Sequence, residues 1–238
     1  LEALQSRWAQ LEALVGAARH MELVAADLDA HYERRLEALE GKAMVVCMSR
    51  HICVDLYDQI VKLRPDWHSD DPAKGKIKVV ITGAANDPEE LVKHAHNRDT
   101  LRLLKRRAKK VLTKDEIDAG QDELEIVIVR DMWLTGFDAP VMNTMYVDKP
   151  MKGHSLMQAI ARVNRTFRDK EGGLIVDYIG IATNLREAVA QYTKDDQDKA
   201  GIDTSEFAKV AIEKHDIVKG ILSPVKWSSD PKQARDKR

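Results

Sequence analysis

Gln158, Arg162 and Arg165 are the residues of this sequence whose types and spacing could do chemistry. Two guanidiniums and an amide from successive helical turns make a fork of donors suited to phosphate oxygens, because arginine stays charged and bonds bidentately. At about 100° per residue, Leu156, Ala159, Ile160, Val163 and Phe167 share one stripe of that helix. The stripe is what a core requires, and the three polar residues fall on the far side, where exposure is expected. Upstream, Trp133-Leu134-Thr135-Gly136-Phe137-Asp138-Ala139-Pro140 follows a dense apolar run. Its small residues expose backbone in a loop at a strand's carboxyl end, where open α/β sheets bind ligands.

The elements that must position these groups follow from the pattern. Short continuous apolar runs at 43–48, 77–81, 124–129, 141–147 and 174–178 read as strands buried on both faces. Helical patterns separate them. One is capped by Ser49 and carries Ile52, Leu56, Ile60 and Leu63 to a stop before Pro65. Another runs from Pro88 through Leu91, Leu101, Leu104, Ala108 and Leu112, and the Gln158 helix lies between the last two strands. This alternation predicts an α/β fold with a doubly wound, mainly parallel sheet of five or six strands. Residues 1–40, with Leu4, Leu11, Leu14, Leu23, Leu28, Tyr32 and Leu36 and a break near Gly16, predict a helical linker or lead-in. Residues 41–193 are then the sheet domain. Residues 194–238 are a helical C-terminal extension with an amphipathic helix over 205–221 and a frayed end.

The 238 residues are 44% hydrophobic, enough for a core, and their 32% of charged residues nearly cancel to a net charge of −1. No global field draws in nucleic acid or an anionic membrane, so such binding needs a local patch. Arg98, Arg102, Lys105, Arg106 and Lys109 line one side of a helix, either as a solvated face or as a phosphate-contacting track. Cys47 and Cys53 match no zinc or redox spacing and are expected to be reduced structural thiols of a cytoplasmic protein. No apolar run is long enough to span a bilayer and no signal-peptide pattern opens the chain, so no membrane association is expected. The opening at Leu1, in mid-helix register, suggests a piece of a longer polypeptide.

His51, His68, His94, His96, His154 and His215 show no ligand spacing with cysteine, so surface or capping roles are expected. Asp131 and Asp138 flank a loop rather than share a face, so no metal site is expected there. Asp138 is better placed to orient a sugar hydroxyl or one of the arginines. Gly41-Lys42 and Gly75-Lys76 lack the upstream glycine and the following Ser or Thr of a phosphate-cradling loop. Catalytic arginines without a nucleotide cradle are what one half of a two-lobed motor would show.

Lys42 to Arg50, Val79 to Gly83, Leu134 to Pro140 and Gln158 to Arg165 resemble motifs IV, IVa, V and VI of superfamily 2 helicases, in that order. More narrowly, Lys42 to Arg50, Leu134 to Pro140 and Gln158 to Phe167 resemble the motor (R) subunit of type I restriction enzymes. The resemblance implies a second RecA-like lobe of an ATP-dependent double-stranded DNA translocase. Arg162 and Arg165 would reach the ATP phosphates across an interlobe cleft, with Gln158 orienting them. Gly136 and Asp138 would line that cleft, and Thr82, Gly83, Thr135 and Arg50 would contact the DNA backbone. ATP and Mg2+ would be bound mainly by a first lobe of the full-length chain, which is absent here together with the nuclease domain, so this chain alone would be inactive. Implied partners are duplex DNA, that first lobe, and the methyltransferase and specificity subunits. Ala161 stands where many helicases have a motif VI glycine, a departure that bears on how the helix approaches nucleotide. The alternative reading of the same residues is a non-enzymatic α/β module whose arginine helix binds a polyanion or a protein partner.

Overall fold

The computed structural model describes residues 2–38, 41–112, 115–116, 119, 121, 123–134, 136–164 and 173–180. Their centre is a sheet of five parallel strands in the order β2-β3-β1-β4-β5. The strands are β1 (Lys42–Cys47), β2 (Ile77–Val80), β3 (Ile126–Val129), β4 (Met142–Asp148) and β5 (Leu174–Asp177). All five expected strands are present, each close to its sequence bounds. Every position of β1 to β4 is buried, which is why their sequences are continuous apolar runs rather than alternating ones.

Helices cover both faces. Ala43, Val45 and Cys47 of β1 face α2 (Ala18–Ala38) and α3 (Arg50–Leu63), packing with Leu28, Tyr32, Leu56 and Ile60. Met44 and Val46 face the other way, toward Leu104 and Ala108 of α5 (Arg98–Lys109) and Leu156, Ala159 and Val163 of α6 (Gly153–Val163). Ser49 caps α3 as expected, accepting from Ile52 N at 3.3 Å. The alternation of strands and helices has built a doubly wound α/β sheet.

The helical pattern of residues 1–40 is present as α1 (Glu2–Val15) and α2, broken at Gly16. Met21, Val24, Ala25, Leu28 and Tyr32 of α2 are buried, so this helix forms a layer of the sheet's packing. Polar bonds pin it as well. His20 Nε2 lies 2.9 Å from Asp148 Oδ1, His31 Nδ1 bonds the Tyr146 hydroxyl at 2.8 Å, and Tyr178 donates to Asp27 at 2.9 Å.

The helix expected from Pro88 to Leu112 is two helices, α4 (Glu89–Val92) and α5. Between them Ala95 bridges Ile81 in parallel, extending the edge of β2, and Asn97 caps the new helix by accepting from Thr100 N at 2.8 Å. The cap and the bridge give this backbone better partners than a continuous helix would. Of the histidines expected at the surface, His68 is exposed, whereas His94 and His96 are half-buried. His94 lies edge-on to Tyr57 with centroids 4.8 Å apart, His68 Nδ1 bonds the Tyr57 hydroxyl at 2.7 Å, and His96 Nε2 lies 3.2 Å from the Val79 carbonyl oxygen. Cys47 and Cys53 are free and buried.

Candidate functional site

All strands being parallel, the loops that leave β1, β2, β3 and β4 emerge at one edge of the sheet. Loop carbonyls there have no ladder partner, and a buried carbonyl left unpaired is costly. Cations meet that need. Arg130 Nε donates to Met48 O at 3.3 Å, Arg50 Nη1 to Thr82 O at 2.9 Å, and Lys149 Nζ to Arg130 O at 3.1 Å while pairing with Asp131. Arg162 donates from Nε to Leu134 O and from Nη1 to Phe137 O, both at 3.0 Å.

The environment of Arg162 corrects the helical-wheel expectation. It is half-buried rather than exposed, because the loop after β3 folds back against the same core that seats α6. Trp133, Leu134, Phe137 and Ala139 are the loop's apolar anchors in that core. The flank of α6 therefore meets loop carbonyls, and a charged donor is what they need. Between the anchors, Gly136 and Asp138 are exposed on either side of buried Phe137. Gly136 has φ +68°, and Trp133 reaches the same left-handed region at φ 68° while stacking on Phe137 with centroids 4.4 Å apart. Strain of this kind in a non-glycine residue costs about 1–3 kcal/mol and concentrates at functional sites.

Gln158 bonds His154 one turn back at 2.6 Å, and the two loop carbonyls, not the amide, orient Arg162. Arg50 is also employed internally. Its guanidinium pairs with both oxygens of Asp87, with Nη2 to Oδ1 at 2.7 Å, and that bond holds the Asp87 carboxyl below the usual carboxylate range. Asp87 in turn accepts from Ala84 N at 2.6 Å, so this pair fixes the turn that presents Thr82 and Gly83. Both are exposed. A Cβ on Gly83 would lie 3.0 Å from that of Ala95, so the turn approaches the β-bridge segment as closely as glycine allows. Thr135, Arg165, Phe167 and the 205–221 segment lie outside the described residues.

The carboxyl edge thus brings together Thr82, Gly83, Arg50, Arg130 and Lys149, while Arg162 meets the carbonyls of Leu134 and Phe137 on the face of the sheet that α6 covers. Among the described residues no group of His, Cys, Asp and Glu could hold a metal ion, and Asp131 is engaged by Lys149 and Arg130. Arg130, Lys149 and Asp87 belonged to no motif. The available signal was position, since the first residue after a parallel strand lies on the ligand-binding edge.

Comparison with known proteins gives this edge a lineage. Residues 68–180 match the family model described as T1R_D3-like, type I restriction enzyme subunit R domain 3. The chain is 53% identical over 185 residues to the type I restriction enzyme HindI endonuclease subunit of Haemophilus influenzae, covering 76% of this chain and 17% of that protein. It is 42% identical over 195 residues to a candidate type I restriction enzyme MjaIXP endonuclease subunit of Methanocaldococcus jannaschii, covering 82% of this chain and again 17% of the relative. The fragment structure of a candidate HsdR subunit from Vibrio vulnificus YJ016 aligns over 72% of this chain and 29% of that one, with a TM-score of 0.45 and 15% identity. The chain therefore spans less than a fifth of the length of these curated relatives. No helix among the described residues is long and apolar enough to cross a membrane.

Proposed function

We propose that this R-subunit segment is the second RecA-like lobe, of the superfamily 2 helicase type, of an ATP-dependent double-stranded DNA translocase in a type I restriction-modification system of the cytoplasm. The observation that carries the reading is the anchoring of Arg162, near the C-terminal end of α6, by the carbonyls of Leu134 and Phe137 in the loop that leaves β3. Those two bonds use two of the five N–H donors and, among the described residues, leave one on Nη1 and both on Nη2. A guanidinium held in place before reaction stabilises charge developing on a γ-phosphate without reorganising at that moment. In this role Arg162 and Arg165 act across the cleft on ATP held with Mg2+ by the first lobe. Gly136 and Asp138 line the cleft, and Gln158 supports the helix through His154.

Thr82, Gly83 and Thr135 take the DNA backbone, and Arg50 holds the turn of Thr82 and Gly83 in place through Asp87. ATP turnover closes and opens the two lobes along the duplex, a hinge motion about the interlobe connection. The first lobe, the methyltransferase subunit and the specificity subunit complete the assembly. The test is ATP hydrolysis by the full-length protein and by this chain, each with and without duplex DNA. Hydrolysis stimulated by DNA in the full-length protein, and none by this chain alone, is expected. Turnover by the isolated chain would contradict the division of labour.

A further inference from the structure

Helix α5 concentrates positive charge in a chain whose charges otherwise balance. Its one acid is Asp99, against Arg98, Arg102, Lys105, Arg106, Arg107 and Lys109. Arg107 turns away from the others and donates to the carbonyls of Pro72, Lys74 and Gly75 at 2.8, 3.1 and 2.9 Å. The remaining five form a row on the side opposite buried Leu104 and Ala108. The carboxylate pair recorded on this row among the described residues is Arg102 with Asp99, at 3.2 Å and exposed, which is worth little. A solvated helix face in a neutral chain would more commonly interleave acids at i+3 and i+4.

The row is tied to the candidate site. Lys105 Nζ and Lys109 Nζ lie 5.9 and 5.6 Å from the centroid of the Phe137 ring, and Phe137 is the residue whose carbonyl accepts from Arg162. A groove of about 490 Å³ runs beside the row, lined by Arg102, Lys105, Arg106, Lys109 and Lys110. At about 1.5 Å per residue the row is on the order of 16 Å long. One strand of duplex DNA presents a phosphate about every 3.4 Å of axis, so the row spans about five of them. A protein partner would call for a desolvated aromatic or aliphatic anchor at the centre of the patch. Among the described residues the exposed large hydrophobics are Trp8, Leu14, Leu23, Leu63 and Val92, and none lies on α5.

We infer that the exposed face of α5 is a track for the duplex DNA backbone, sequence-independent and continuous with the Arg162 loop through Phe137. The identity of the polyanion rests on the translocase reading. The test is binding of this chain to a labelled random-sequence duplex over a salt series, comparing wild type with the triple variant Arg102→Ala, Arg106→Ala, Lys109→Ala. Each phosphate contact contributes about 0.9 to the slope of log affinity against log salt, so the triple variant should flatten that slope by about 2.7 and lose affinity on the order of tenfold or more at low salt. Arg102→Lys with Arg106→Lys should keep both slope and affinity, since the charge is retained.

The substituted residues are exposed, so circular dichroism and melting temperature should match wild type. A wild-type slope in the triple variant would overturn the track. So would absence of wild-type duplex binding at low salt, or tighter binding of polyglutamate of matched charge. If the track fails while Arg162→Ala still abolishes turnover in the full-length protein, the motor reading survives. If turnover is untouched by Arg162→Ala while the salt slope falls as expected, the motor reading fails and the track survives.

Discussion

The two ends of the sheet use the same device for different purposes. At the amino-terminal edge, Lys42 is 1% exposed and its Nζ donates to Arg107 O at 2.9 Å and pairs with Glu123 at 3.1 Å. Lys78 Nζ caps the carbonyls of Ser69 and Asp71, and Arg107 donates to three more carbonyls in the turn before β2. At the carboxyl edge, Arg50, Arg130 and Lys149 likewise donate to loop carbonyls. The difference is what the bonds leave over. At the amino edge Lys42 and Lys78 are buried in their bonds, whereas the carboxyl edge presents exposed Thr82 and Gly83. A cavity of about 360 Å³, lined in part by Lys74, Leu103, Arg107 and Leu124, lies at the amino edge. That cavity lies away from the carboxyl ends of the strands, where ligands of open α/β sheets gather.

The largest expected effect that would break this comparison is at Lys42. Burial pulls its amine below the ordinary lysine pKa, with Glu123 opposing. Lys42→Ala leaves Glu123 and the Arg107 carbonyl without their donor, and should cost about 3–5 kcal/mol in urea denaturation. Lys42→Met, which removes the charge but keeps the volume, should cost less. Equal and small losses would show that the amino edge does not depend on this amine.

Arg162→Ala should cost about 2 kcal/mol, the scale of losing charge-assisted bonds to two carbonyls. The loss should be local, seen as faster amide hydrogen exchange over 130–140 with little change in β1. Gly136→Ala forces a side chain into the left-handed region and should cost roughly 1–2 kcal/mol. No Cβ clash adds to it, since nothing lies within 4 Å of that position.

The smallest effect concerns pH. Burial pulls His94 down to about 4, with lesser repulsion from His96 and Lys78, whereas an unfolded histidine titrates near about 6.5. Below about 6.5 the unfolded chain takes up a proton that the folded chain refuses. Stability is therefore full above that value and falls as pH drops toward about 4. His94→Gln should flatten the decline in melting temperature over that window, and an unchanged decline would place the acid sensitivity elsewhere.

The strands were legible because burial on both faces writes a continuous apolar run, and the order of the motifs put the site loops at one edge. Partners were not legible. A helical wheel separates core from solvent but has no third category for a folded-back loop, so Arg162 read as exposed. Arg50 read as a DNA contact because its neighbour Asp87 is distant in sequence. His94 and His96 read as surface groups because the bridge between Ile81 and Ala95 breaks a helix that the apolar spacing alone continues. The packing of α2 rests on cross-chain bonds such as His20 to Asp148, which carry no periodic signal.

The most direct measurement is DNA-stimulated ATP turnover of the full-length protein carrying Arg162→Ala or Arg162→Lys, set beside the stability of this chain with the same changes. An anchored arginine acting on the γ-phosphate predicts a turnover loss of about 10³ to 10⁵ for alanine. Lysine should not rescue it, because a point-charge ammonium lacks the planar fork by which a guanidinium bonds carbonyls and phosphate in one fixed geometry. The stability change should stay near about 2 kcal/mol, too small to unfold the lobe. Near-normal turnover in either variant, or a turnover loss matched by global unfolding, would contradict the assignment and leave Arg162 as a strut for the 130–140 loop.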